Sequence, residues 1–368
     1  MPSNTAIVIG TGVAGAATGF ALARRGVAVT FVEAGFEAPA TAAGAGIIQP
    51  WSSAVDGEYY RYYAAGADYY AELISQLAAV GVDEIGYRRT GGLVVNTEAS
   101  ALDEVEERVS TRIADARLAG EVSRVSNARA RELFPPLGDG YKGIFISGGA
   151  HVDGRLLRRG LLDGTEKLGG RVLEGTGVAE QRGDRLDIVV DGKRVEADNI
   201  VLATGAWTNA ALEPLGLRVP IEPQRGQITH LRVDADTRGW PTLHPMGGHY
   251  MLAFDDSRVV VGATRESGTG FDARVTAAGQ LEVLEKALEV APGLADSTLI
   301  ETRVGMRPMP EGKMPIVGAL AGFEGLYLNA GFGAGGLTMG ALVGERLAAI
   351  VTGEVAAPEE GMLSTVEL

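Results

Sequence analysis

Cysteine is absent from this 368-residue chain, which excludes disulfides, thiolate metal sites, cysteine nucleophiles and cofactor attachment through sulfur. Histidine is scarce, with four residues, and neither an H-E-x-x-H motif nor a Ser/His/Asp order rises above chance composition, so no metal site is expected. No run reaches ~18 consecutive apolar residues and the N-terminus lacks a basic n-region, so a cytoplasmic protein without a transmembrane segment is expected. Positive charge is also in deficit: 33 Lys and Arg face 47 Asp and Glu, a net charge of -14 that disfavours nucleic acid as a partner.

What is present is ordinary globular composition with one excess. The chain is 46% apolar and 22% charged, while 53 Gly against 15 Pro indicate many close backbone approaches rather than a disordered tract. Its length exceeds the roughly 250 to 300 residues at which a single core stops growing, so two joined domains are expected.

Residues 6–9 form a short β-branched run that meets Gly10, residues 13–25 carry helix formers up to a stop at Gly26, and residues 27–32 read as a second buried strand. This β-α-β unit predicts a right-handed crossover and a parallel sheet. Between strand and helix, Gly10, Gly12, Val13, Ala14 and Gly15 complete G-x-G-x-x-G, and Glu33 closes the second strand where a ribose-binding acid is expected. Gly10 and Gly12 admit a pyrophosphate to backbone contact, Gly15 lets helix pack on strand, and the helix N-terminus favours negative charge. Glu33 repels a 2′-phosphate, which disfavours NADP.

The fingerprint alone leaves FAD and NAD both open. Two distant segments favour FAD: a strand running into Ala203, Thr204 and Gly205 with Trp207 beyond, and residues 325–339, a strand and glycine turn feeding a helix. A helix starting close to a flat ring stabilises the negative charge that develops on a reduced flavin. Elsewhere, Tyr59, Tyr60, Tyr62, Tyr63, Tyr69 and Tyr70 fall at helical spacings and read mostly as amphipathic packing. Helices are predicted over residues 102–119, 129–133, 156–168 and 279–290, and a hairpin through Asp191 and Gly192.

Taken together these pieces resemble the family of FAD-dependent amino acid oxidases that includes D-amino acid oxidase, glycine oxidase, sarcosine oxidase and the D-amino acid dehydrogenases. The likeness covers nearly the whole chain. Besides the segments above it rests on residues 41–47, Pro223-Gln-Arg-Gly-Gln227, Tyr250 with residues 259–264, and Gly305-Met-Arg-Pro308 with residues 315–318. It implies an α/β fold, α+β overall: a Rossmann-like FAD-binding domain from residues 1–49, 140–220 and 301–368, and a largely antiparallel-sheet substrate domain from residues 50–139 and 221–300.

The resemblance further implies that Ala34, Gly177 and Val178 approach the adenosine side of a noncovalent FAD, and that Thr204, Gly205 and Trp207 contact it. Ala43, Gly44, Ala45, Gly46 and Ile47 would border the isoalloxazine, as would Gly333, Ala334, Gly335, Gly336, Leu337 and Thr338. Arg307 would touch both flavin and substrate, clamping the substrate carboxylate by two parallel charge-assisted hydrogen bonds, with Tyr250 assisting. The implied reaction moves hydride from the carbon beside the amine to flavin N5, giving an imine that water hydrolyses. Its partners would be a small amine or amino acid, D-configured or glycine-like, and oxygen or another electron acceptor; homo-oligomer formation is left open. His249 is expected to point away from Tyr250 along a strand. Gln49, Trp51 and Arg225 are weaker pocket candidates, and no chemistry is assigned to His151 or Asp153, beside which Gly154 replaces a common family proline.

The chain departs from the sarcosine oxidase branch, which commonly carries a cysteine-linked flavin and a lysine over the ring; Lys313 falls in an expected turn. A rival reading is a FAD-dependent 2-hydroxy acid or polyol dehydrogenase, but that chemistry needs a base and none of His151, His230, His244 and His249 is convincingly placed. A rival of another class is a noncatalytic flavin-binding sensor or assembly protein, which would hold FAD that no small amine reduces.

Overall fold

The computed structural model describes residues 4–182, 185–312, 314–358 and 361–367, so Lys313 lies outside the described residues. Both ends and the middle of the chain meet in one sheet, ordered Ile316–Ala319, Leu326–Ala330, Asn199–Leu202, Thr5–Ile9, Ala28–Glu33 and Arg171–Glu174. The last five are parallel and the first is antiparallel. Ile7 and Val8 are both buried, the mark of a parallel strand covered on both faces, which is why these strands read as unbroken apolar runs.

Helix Val13–Arg24 is buried almost all round because helix Gly336–Val351 packs on its outer side. Small residues make that contact. A Cβ on Gly344 would stand 2.8 Å from the Thr18 nitrogen, so glycine lets one helix backbone rest on the other. Asn329 at the end of its strand donates to Thr18 Oγ1 at 2.9 Å and locks sheet, helix and helix together.

A second, largely antiparallel sheet is ordered Glu266–Ser267, Ile221–Arg232, Arg258–Gly262, Tyr250–Phe254, Thr242–Pro245, Gly92–Asn96, Lys142–Ile146 and Val122–Val125. Strand Thr298–Pro310 joins it by pairing along Ile221–Arg232. Lys142–Ile146 and Thr298–Pro310 therefore lie in this sheet and not in the first, across the boundaries expected at residues 140 and 301. A strand belongs where its ladder partner is, and these partners come from distant sequence. The expected hairpin is present, with φ of 48° at Asp191 and 78° at Gly192, the conformation a two-residue turn demands. The helix expected to reach residue 119 ends earlier, as Ala99–Ile113, because the amides of Arg117 and Leu118 bond the Asp68 carboxylate at 3.1 and 2.8 Å instead of continuing the helix.

Candidate active site

A cavity of about 790 Å³ lies between the two sheets. Ile9, Glu33, Ala203 and Ala330, at the carboxyl ends of four strands of the first sheet, line it, which is where open α/β sheets hold ligands.

At one end the fingerprint is laid out as its spacing requires. Gly10 has φ +96° and a side chain there would run into the Ala203 carbonyl, so only glycine fits. Gly12 caps the following helix without a side-chain hydrogen bond, no acid occupies the first turn, and Val13 N donates to Thr41 Oγ1 at 2.9 Å. The partial positive charge of that helix end therefore faces the cavity uncompensated by any acid in its own first turn. Gly15 does not line the cavity: its Cβ would meet Ala203 Cβ at 3.0 Å, so it serves helix-on-strand packing. Glu33 accepts from Thr11 Oγ1, from Gly35 N at 2.9 Å, and pairs with Arg158 at 3.4 Å. Burial pushes its carboxyl up, but these donors outweigh burial and hold it below the usual carboxylate range.

Thr11 and Arg158 escaped the sequence reading, and Thr41 entered it only as the first residue of the segment 41–47. Thr11 is an unspecified position of the motif, and Arg158 reaches the Thr11 carbonyl at 2.9 Å from 147 residues away. No local pattern marks such a residue.

Another wall of the cavity combines residues 43–47 with Gly333, Ala334, Gly336 and Leu337. Gly335 and Thr338 stand behind it. A Cβ on Gly335 would lie 2.5 Å from the Tyr59 hydroxyl, and Thr338 Oγ1 donates to the Ile47 carbonyl at 3.0 Å, fastening helix to loop. Helix Gly336–Val351 starts here without a side-chain cap. Gly154 lets the chain press against the Thr41 carbonyl, where any Cβ would collide. Val178, Thr204, Gly205 and Trp207 line the cavity, and Trp207 stacks between Phe36 and Phe271 with centroids 5.1 Å apart on each side. Two uncapped helix starts, a donor-held acid and glycines at each close approach form a donor set that fits FAD.

Arg307 lies on the second-sheet side of the cavity. It donates to the Thr264 carbonyl at 3.0 Å and to Gln224 Oε1 at 3.4 Å, and its guanidinium rests over Gly226, where a Cβ would be 2.5 Å from Nη2. Burial lowers its affinity for its proton, the Tyr250 hydroxyl facing it acts in the opposite sense, and a guanidinium stays charged regardless. Burial in turn pushes the Tyr250 hydroxyl up.

Alternation along Ile221–Arg232 puts Gln224, Gly226 and Ile228 on the cavity and turns Arg225 away, into ion pairs with half-buried Glu266 at 2.7 Å and Asp272 at 2.8 Å. Trp51 is 1% exposed and does not line the cavity, whereas Gln49 does. His249 sits in the turn before strand Tyr250–Phe254 and borders the cavity, with its Nε2 3.4 Å from Glu282 Oε1. His244, Arg108 and Arg265 also line it. Burial depresses His244 to about 4, so it is neutral near pH 7. Among the described residues no group of three or more His, Asp or Glu side chains could hold a metal ion, and no helix is long and apolar enough to cross a membrane.

Comparison with known proteins adds the family. The sequence model of the FAD dependent oxidoreductases (DAO) matches residues 5–350. The crystal structure of iminodiacetate oxidase from Chelativorans sp. BNC1 superposes with a TM-score of 0.94 at 46% identity, covering 98% of this chain and 99% of that one. The uncharacterised oxidoreductase YurR of Bacillus subtilis is 44% identical over 352 residues, 95% of each chain. The glycine oxidase of Pseudomonas aeruginosa is 31% identical, again over 95% of each. With glycine fingerprint, donor-held acid and FAD-shaped donor set all in one cavity, this chain belongs to the DAO family of FAD-dependent oxidoreductases.

Proposed function

We propose that this enzyme oxidises the C–N bond of a small amine bearing two carboxylates, of the N-carboxymethyl amine type, to an imine that water hydrolyses. The observation that carries this reading is the charge of the cavity. In a chain of net charge -14, the described lining residues include three guanidiniums, Arg108, Arg265 and Arg307, and one carboxylate, Glu33, already engaged by Thr11 and Arg158. The relative from Chelativorans, 46% identical, is named for iminodiacetate, a secondary amine with a carboxylate on each arm. Glycine-like and D-amino acids present the first of these groups.

Arg307 takes the carboxylate next to the reacting carbon. Its bonds to Thr264 and Gln224 orient the guanidinium plane, and burial strengthens the charge-assisted pair by excluding water. Tyr250, facing Arg307, supplies a hydroxyl to the same group. FAD, when bound, supplies the hydride acceptor, and the protein's part is positioning and electrostatics. His244, depressed to about 4, is a poor proton acceptor near neutrality, His249 has its Nε2 3.4 Å from the Glu282 carboxylate, and no cavity carboxylate lies free among the described residues. The substrate therefore binds as the free amine, which needs no protein base, whereas a 2-hydroxy acid would need one. On this reading the enzyme is cytoplasmic, holds FAD without a covalent link, and passes electrons to oxygen or another acceptor.

The test is anaerobic mixing of the yellow holoenzyme with iminodiacetate, sarcosine, glycine, D-amino acids, simple amines and 2-hydroxy acids. Fastest bleaching by iminodiacetate is expected. Bleaching by hydroxy acids alone, or by nothing in the panel, overturns the proposal; repetition in air with peroxide detection separates oxidase from dehydrogenase.

A further inference from the structure

Helix Ala99–Ile113 carries two arginines one turn apart, Arg108 and Arg112. Arg112 is fully committed. It donates to the carbonyls of Trp51 at 3.2 Å, Ser53 at 2.7 Å and Val55 at 2.6 Å, and stacks 3.8 Å from the centre of the Tyr60 ring. Arg108 instead lines the cavity, and its Nε is sealed from solvent with no hydrogen-bond partner among the described residues. It makes no ion pair there either, since the one lining carboxylate, Glu33, is held at the nucleotide end by Thr11 and Arg158.

A guanidinium cannot shed its proton, and a shielded donor without an acceptor is a standing cost to the fold. Such a group is retained where a ligand completes it. Arg265 offers a weaker alternative: it is exposed and already donates to the Gly248 carbonyl at 2.9 Å, and an exposed guanidinium contributes little to an ion pair. The cavity lining also includes Gln49, Ser52 and Ser53, and Gln49 Nε2 already donates to Ser52 Oγ at 2.9 Å. Val105 shares its helix, and Val94, the ladder partner of His244, lines the cavity below.

We infer that Arg108 anchors the substrate's second carboxylate, so that the cavity grips a dicarboxylic amine between Arg307 at the reacting end and Arg108 at the other. The inference rests on the reading of Arg307 given under Proposed function. Arg108 then governs which amine is accepted and takes no part in the bond-breaking step.

The experiment is calorimetric titration of the holoenzyme with diglycolate, which has two carboxylates and an ether oxygen in place of the amine, and with methoxyacetate, which has one carboxylate. Wild type is expected to bind diglycolate at least about tenfold more tightly. In Arg108→Gln that ratio collapses toward one, about 1.4 kcal/mol for each tenfold; in Arg108→Lys, a point charge without the fork, it falls at least about threefold. A ratio unchanged in either variant, or absent in wild type, overturns the inference, as does a ratio lost in Arg265→Gln while Arg108→Gln keeps it. Calorimetry reads binding without turnover. Selective diglycolate binding in an enzyme that iminodiacetate does not reduce would therefore sink the proposed reaction and leave this subsite standing.

Discussion

Gly226→Ala is a small change with a calculable consequence at the proposed carboxylate clamp. Gly226 faces Gly305 across the ladder, and the added methyl would stand 2.5 Å from Arg307 Nη2 and 2.6 Å from Cζ and Nη1. Ordinary contact begins at 3.4 Å, so the guanidinium must retreat by 3.4 − 2.5, about 0.9 Å. The displaced group is the end of a flexible side chain and Gly226 has no left-handed φ, so the fold is spared; reduced freedom of the unfolded chain even returns about 0.4 to 1 kcal/mol. Catalysis is not spared. A misplacement of about 1 Å costs on the order of 100-fold, or about 2.7 kcal/mol of transition-state stabilisation. Rapid anaerobic mixing should show kcat/KM for iminodiacetate falling by about that factor, with methoxyacetate binding weakened in parallel and FAD retained. Flavin reduction within about threefold of wild type would refute the clamp geometry; a melting temperature lowered by more than about 10 °C would show that the fold, not the clamp, had failed.

Gly10→Ala forces a side chain onto the Ala203 carbonyl at φ +96°, and the purified variant should carry little flavin; a wild-type ratio of visible to ultraviolet absorbance would refute the close-approach role. Arg158→Met removes a donor from the Thr11 and Glu33 cluster and should weaken FAD binding about tenfold in reconstitution of the apoprotein, with unchanged affinity as the contrary result. His151 and His230 are buried and depressed to about 4, below the ordinary 6.5. Between those values the unfolded chain binds more protons than the native one. Their contribution is thus complete above pH 6.5 and lost as pH falls toward 4, by up to about 1.4 kcal/mol per pH unit for each histidine. Melting temperature should drop on acidification through that window and drop less in His151→Phe; a flat profile from pH 7 to 5 would contradict it.

The dinucleotide end of the site was legible because its parts are adjacent in the chain. Gly10, Gly12, Gly15 and Glu33 span one β-α-β unit, and that unit needs the same residues whatever surrounds it. The two later glycine turns were legible for the same reason, although Gly335 and Thr338 support the wall rather than form it. Resemblance to the oxidase family located Arg307 and Tyr250. It could not say that Arg225, the neighbour of Gly226 on the same strand, would turn its back on the cavity, since that depends on ladder register and on Glu266 and Asp272 waiting on the far face.

By itself, then, the sequence determined an acidic, cysteine-free α/β chain with a dinucleotide fold and a flavin enzyme's glycine turns, because local backbone demands and periodicity are written residue by residue. Tertiary structure alone decided that Thr298–Pro310 belongs to the second sheet, that Arg158 reaches Thr11, and that Arg108 and His249 open on the cavity. Those outcomes depend on which distant strand or helix packs alongside, and pairings between segments far apart in the chain leave no mark in the spacing of either one.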